Sequence, residues 1–132
     1  MDERLAYVDA SAFVKLFLLE RESEALSVAT DSWQLASSAL LEVEAVLAVR
    51  RRKPDAETTV RAMLQGLELI DIDADIRRAA AGVANPHLRS LDAIHVATAL
   101  SLGDHCGTFF AYDQRLIAAA QAHGLTVTVP QP

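Results

Sequence analysis

Cysteine is nearly missing from this chain. Cys106 stands alone, so no internal disulfide can form and a reducing cytosol suits the protein. Long apolar runs are missing too. Stretches such as Ala39 to Leu41 or Ala79 to Ala81 fall far short of the roughly 20 residues that span a bilayer. The opening Met1-Asp2-Glu3-Arg4 has neither the basic region nor the apolar core of a signal peptide. The expectation is a soluble, cytoplasmic protein with no membrane association. Positive charge is scarce as well: 12 Lys and Arg against 18 Asp and Glu leave a net charge of −6. That excludes nucleic-acid binding by a uniformly basic surface, which needs many cations against phosphates. It does not exclude a nuclease whose acids are gathered around a metal ion. Repeats, linkers and low-complexity tracts are also lacking.

What is present is the composition of a globular domain. Hydrophobic residues make up 52% of the 132 and charged residues 23%, enough for one core with about two-thirds of the unfolded surface buried. Periodicity predicts strands over 5–8, 33–36, 67–72, 108–112 and 125–129. Between them it predicts helices over 12–20, 22–29, 39–53, 56–65, 75–84, 90–102 and 114–122. Ser37 or Ser38, Asp55 and Ser90 are candidate N-caps, and Pro54, Gly66, Asn85-Pro86, Gly103 and Gly124 are stops. Strands alternating with helices give a single α/β domain over 1–132, a parallel β-sheet flanked by α-helices.

In such a sheet, ligands sit outside the carboxyl ends of the strands. Leu5-Ala6-Tyr7-Val8 ends in Asp9, and the strand before Asp113 ends the same way, so both acids belong to one edge. Either can also be read as a turn or helix cap. Asp92 falls in the first turn after Ser90, where a negative charge suits the helix dipole. On the helix from Ala39, steps of 100° place Leu40, Leu41, Val43, Leu47 and Ala48 on one arc, with Glu44 inside it and Glu42 opposite. An acid in an apolar face costs several kcal/mol unless paired or holding a cation. Glu44 is therefore preferred to Glu42, and pairing with an Arg is the competing explanation. Four converging carboxylates repel one another, and a hard divalent ion relieves that. Oxygen-only ligands fit Mg²⁺ or Mn²⁺, which acidifies water and neutralises phosphoryl charge, so the implied reaction is phosphodiester hydrolysis. Ser11 is placed to hold a carboxylate or a water through its hydroxyl.

Other features have plainer readings. Arg50, Arg51, Arg52 and Lys53 suit a helix C-terminus, with a phosphate-contacting patch as the alternative. Asp71-Ile72-Asp73-Ala74-Asp75 opens like a calcium loop. It then has Ile76 where glycine is required and Gly82 where glutamate is required, so it reads as a strand end and a cap. His95, one turn from Asp92, reads as a packed histidine or one that supports a ligand rather than a ligand itself. His87, His105 and His123 share no metal-ligand spacing with a cysteine.

Four segments then combine. Tyr7-Val8-Asp9-Ala10-Ser11-Ala12, Ser37-Ser38-Ala39-Leu40-Leu41-Glu42-Val43-Glu44, Leu91-Asp92-Ala93-Ile94-His95-Val96-Ala97 and Tyr112-Asp113-Gln114-Arg115-Leu116 resemble a PIN domain, more narrowly the VapC ribonuclease toxins of bacterial type II toxin–antitoxin pairs. The resemblance implies a Mg²⁺- or Mn²⁺-dependent endoribonuclease acting on RNA, homodimers, and inhibition by a cognate VapB-type antitoxin. By motif it assigns metal-binding and catalytic roles to Asp9, Glu44, Asp92 and Asp113, and a supporting hydroxyl to Ser11. It also places Arg89 where relatives carry a base near the groove. Ala111 departs from the pattern, since many relatives have Thr or Ser there. A catalytically degenerate PIN module that binds RNA or protein without cleaving is the alternative. A receiver-like domain is disfavoured because no lysine follows Lys53, and a haloacid dehalogenase type because Ser11 stands where a second Asp is needed.

Overall fold

The run Leu5–Val8 (β1) is the central strand of a five-stranded sheet in the computed structural model, which describes residues 4–83 and 86–132. Gln34–Ser38 (β2) and Cys106–Phe110 (β4) flank it; Glu68–Ile70 (β3) and Val127–Thr128 (β5) form the edges. All pairings are parallel, in the order β3-β2-β1-β4-β5. The helices are Ala10–Phe13 (α1), Ser23–Thr30 (α2), Leu40–Arg52 (α3), Glu57–Gln65 (α4), Ala74–Ala81 (α5), Ser90–Ser101 (α6) and Gln114–Ala122 (α7).

Strand residues alternate between two cores, as a period of two requires. Ala6, Val8 and Phe110 pack with Phe13, Leu26, Leu41, Val49, Val60 and Leu64, so α1 to α4 cover one face. Tyr7, Phe109 and Ala111 pack with Val96, Ala99, Leu116 and Ala120, so α6 and α7 cover the other. The chain leaves β1 toward β2 and returns to β4 on the opposite side. The direction of winding therefore reverses between β1 and β4, and their carboxyl ends frame the crevice where open α/β sheets bind ligands.

The α/β architecture and the order of elements follow the sequence reading, while several local expectations need correction. The helix expected over 12–20 begins at Ala10 and passes into a 3₁₀ turn over Val14–Leu16, because Asp9 already caps it. The strand expected over 33–36 runs Gln34–Ser38, so Ser37 and Ser38 lie within it and Ala39 takes the cap position of α3, although Ser38 Oγ still accepts the Leu40 N–H (3.1 Å) that opens the helix. Their hydrogen bonds hold them there: Ser37 Oγ donates to the Val8 carbonyl (2.6 Å), and the Ser38 N–H donates to Tyr7 Oη (3.1 Å). Asp55 sits in a 3₁₀ turn, Pro54–Ala56, and Ala56 occupies the cap position. Ser90 is the first helical residue of α6, with Arg89 before it in extended conformation. Asp73 caps α5 through Ile76 N, as the non-calcium reading anticipates. Residues 84 and 85, in the expected helix end and stop, lie outside the described residues, as does the segment 1–3.

The arc drawn on α3 is not its buried face. Leu41, Ala45, Val46 and Val49 are buried, whereas Val43 and Leu47 are exposed. The basic end of this helix is structural in part: Arg50 grips Glu57 through two bonds of 2.7 and 3.1 Å, and Arg61 adds a third. Together they pull the Glu57 carboxyl down to about 2.

Gly107 in β4 gives a stability test. A Cβ at that position would lie 2.5 Å from the Trp33 ring, so even alanine forces the indole aside. Gly107→Ala is expected to cost about 1–3 kcal/mol, the usual range for overpacking, measured as a lower urea midpoint with unchanged slope.

Candidate active site at the carboxyl edge

β1 stops at Val8 because the next residue turns its side chain back on the chain. Asp9 Oδ1 accepts the Ala12 N–H (3.0 Å), starting α1. Ser11 Oγ lies 2.9 and 2.7 Å from the two Asp9 oxygens and donates to the carboxylate. The same hydroxyl oxygen accepts the Tyr112 N–H (3.3 Å), which ties the β1–α1 turn to the exit of β4. Asp9 is only 3% exposed, and burial pushes its carboxyl above the usual range despite the Ser11 and Ala12 bonds. Ionised, this group is held away from water at the mouth of the crevice.

Asp113 follows β4 as Asp9 follows β1, and caps α7: its Oδ1 accepts the N–H groups of Arg115 and Leu116, both at 3.0 Å. Asp92 lies in the first turn of α6. Asp92 and Asp113 line one cavity of about 400 Å³ together with Arg89, Tyr112 and Arg115. The Arg89 guanidinium approaches Asp92 at 3.4 Å, longer than a charge-assisted bond, and is itself 78% exposed. Asp92 is therefore not locked to it. Ala111 is fully buried among Tyr7, Phe109 and Leu116, so its departure from the expected hydroxyl lies in the core rather than in the cavity.

Glu44 projects from α3 beside the buried stripe, toward α6. Its Oε1 is 2.7 Å from Nε2 of His95, and no arginine takes that place in the described structure. Glu42 points elsewhere, lining cavities with Arg61 on the α3–α4 surface. His95 also lies near enough to Asp9 for a charge on the ring to draw that carboxyl down. The expectation that sequence reasoning left unspecified is what Glu44 meets. The partner is a histidine 51 positions away, and the only signal was its placement one turn beyond Asp92.

The structure thus pairs Glu44 with His95, whose charge reaches Asp9, and sets Asp92 and Asp113 around one cavity. It does not draw the four into a tight cluster: among the described residues no three His, Cys, Asp or Glu side chains stand close enough to hold an ion between them. Each carboxylate is engaged instead by a cap, a hydroxyl, an imidazole or a guanidinium. This still fits a small hard cation. Mg²⁺ is commonly held by one or two carboxylates, with waters and substrate phosphate completing the shell. The donors here are oxygens, and the buried Asp9 carboxylate carries an electrostatic penalty that a cation offsets.

Comparison with known proteins places the fold and the sequence in one family. The PIN domain family model matches residues 6–122. Ribonuclease VapC35 of Mycobacterium tuberculosis is 42% identical over 131 residues, covering 96% of this chain and 97% of that protein. Ribonuclease VapC46 of the same organism is 38% identical over 125 residues, covering 94% and 96%. Among solved structures, a toxin–antitoxin complex from Klebsiella pneumoniae superposes with a TM-score of 0.74 at 21% identity, covering 95% of this chain and 97% of that one. VapBC2 from Rickettsia felis, bound to a promoter DNA fragment, gives 0.70 at 12% identity, covering 96% and 99%. With the matched sequence, the parallel sheet and the acid-lined crevice between β1 and β4, the chain belongs to the PIN domain family.

Proposed function

We propose that this chain is a divalent-metal-dependent endoribonuclease, the toxin of a toxin–antitoxin pair. The observation that carries the reading is similarity along nearly the whole chain to proteins named ribonucleases, on a fold where Asp9 and Asp113 follow the two strands at the switch point of the sheet. Asp9, Asp92, Asp113 and Glu44 are the proposed metal ligands and catalytic acids, and Mg²⁺ or Mn²⁺ the proposed ion. When bound, the cation supplies an acidified water and neutralises charge on the phosphoryl oxygen.

The chain's own side chains do the rest. Ser11 donates to the Asp9 carboxylate and fixes its rotamer between β1 and β4. Asp113 is held by the first N–H groups of α7 through one oxygen. Arg89 and Arg115 line the cavity that Asp92 and Asp113 share, where they suit RNA phosphates on an otherwise acidic protein. A VapB-type antitoxin is the proposed inhibitor, the homodimer the proposed assembly and the cytoplasm the proposed location. Exposed Val43 and Leu47 on α3 offer an apolar outer face for such contacts. No helix among the described residues is long and apolar enough to cross a membrane.

The lack of a closed three-ligand cluster among the described residues favours one rival, a degenerate PIN module that binds without cutting. Purified protein incubated with total RNA separates the two. Cleavage with Mn²⁺ or Mg²⁺ that stops on adding EDTA is expected; RNA retention without fragments under every ion condition would establish the rival.

A further inference from the structure

The contact made by Glu44 is the end of a buried chain. Tyr7 is fully buried and His95 is 1% exposed, and polar groups so placed need every donor and acceptor matched. The Ser38 N–H donates to Tyr7 Oη (3.1 Å), the Tyr7 hydroxyl lies 2.7 Å from His95 Nδ1, and His95 Nε2 lies 2.7 Å from Glu44 Oε1. An ionised carboxylate only accepts, so Nε2 carries the proton. The other ring nitrogen, Nδ1, is matched by the Tyr7 hydroxyl, which can give or take the proton between them. The bonds run without a break from the β2 backbone to an acid on α3.

Packing makes this chain stiff. The Tyr7 ring stacks on Phe109 at 5.1 Å and 8°, and His95 meets Tyr7 edge-on at 5.7 Å and 76°. Tyr7 and His95 belong to the α6–α7 side of the sheet, whereas α3 covers the other side. The His95–Glu44 bond therefore joins the two helical layers over the carboxyl edge. A histidine spent only on core packing has no need to reach a half-buried acid of the opposite layer.

We propose that His95 is a positioning residue that, braced by the Tyr7 hydroxyl, holds the Glu44 carboxylate in the orientation from which it takes part in binding a divalent cation. This rests on the metal-dependent reading above. Groups that orient a metal's carboxylate ligands typically change affinity by about 10–100-fold when removed, without touching the ion themselves.

The test is Mn²⁺ binding to the full chain without RNA, read by calorimetry. His95→Phe fills the space but cannot donate, and it is expected to weaken binding by about 10–100-fold. His95→Gln, whose amide can donate toward Glu44, is expected to restore most of the loss. In a Glu44→Gln background, His95→Phe is expected to add less than about a twofold change, because coupled residues are non-additive. Unchanged Mn²⁺ affinity in a folded His95→Phe protein, or the same loss with and without Glu44, would overturn the inference. Should His95→Phe fail to fold, Tyr7→Phe decides. It keeps the ring stack and removes only the hydroxyl; severalfold weaker binding supports the brace, and unchanged binding defeats it. Wild-type protein that binds no Mn²⁺ would bring down the metal-dependent reading as well, whereas wild-type binding that ignores His95 defeats this inference alone.

Discussion

Asp9→Asn is expected to lower RNA cleavage by about 10²–10⁴-fold and, in the same protein without divalent ions, to raise the melting temperature. The first effect follows from the proposed role of Asp9 as a ligand of a cation whose charge stabilisation is worth several kcal/mol, at about 1.4 kcal/mol for each factor of ten. The second follows from burial. Asp9 is 3% exposed and its folded pKa lies above the ordinary value. A raised carboxyl pKa means that the protonated form favours folding. The penalty of the charge is absent below the unfolded pKa of about 3.9, grows as pH rises from there to the raised folded pKa, and is complete above it. Asparagine keeps an acceptor for the Ala12 N–H and a group for Ser11, and removes the charge. Each kcal/mol recovered corresponds to roughly 3–5 °C in a domain of this size. A variant that cleaves as fast as the parent would remove Asp9 from the site, and one that melts lower would show its charge to be compensated within the fold.

The features legible in the sequence are those that local chemistry decides. Asp9 and Asp113 each end an apolar run and begin a helix, and in both the capping bond forms within three residues. Gln114–Ala122 consequently has the bounds its sequence predicts. Where the deciding partner is distant, local reading fails. Ser37 looks like a cap, yet its bond to Val8, 29 residues away, keeps it in a strand, and Ser38 accepts the first N–H of α3 while its own N–H is held by Tyr7, 31 residues away. On α3 Glu44 turns to His95 and Glu42 lines the α3–α4 surface, while the arc drawn to separate them is not the buried face. The helix is apolar on several sides, so its period could not distinguish the core-facing stripe from the outer residues Val43 and Leu47. The brace from Tyr7 through His95 spans 88 positions, and then 51 more back to Glu44. Neither spacing carries a signature, because the pairing is set by how β1, α3 and α6 meet over the sheet edge.

The remaining large effect concerns ion and fold together. A cation that binds the native crevice and not the unfolded chain stabilises by mass action, about 2.7 kcal/mol at 100 times its dissociation constant. For this chain length that is a rise of roughly 10 °C in melting temperature on adding Mn²⁺ or Mg²⁺ to ion-free protein. The pH dependence has a definite sign. Protons compete with the cation for Asp9, and burial holds its folded pKa above the ordinary value, so proton competition extends to higher pH than it would for an exposed aspartate. The ion-induced rise should therefore be full above the raised value and shrink as pH falls through it, before exposed carboxylates titrate. Asp9→Asn should blunt the rise at every pH, because the competing proton and the charge that draws the cation disappear with the same group. Thermal melts across a pH series, with calcium and sodium as controls for unspecific ionic effects, read both quantities at once. A rise equal in the wild type and the variant would place the ion elsewhere on the protein. Its absence from both would leave four acids at a sheet edge with no cation to gather them.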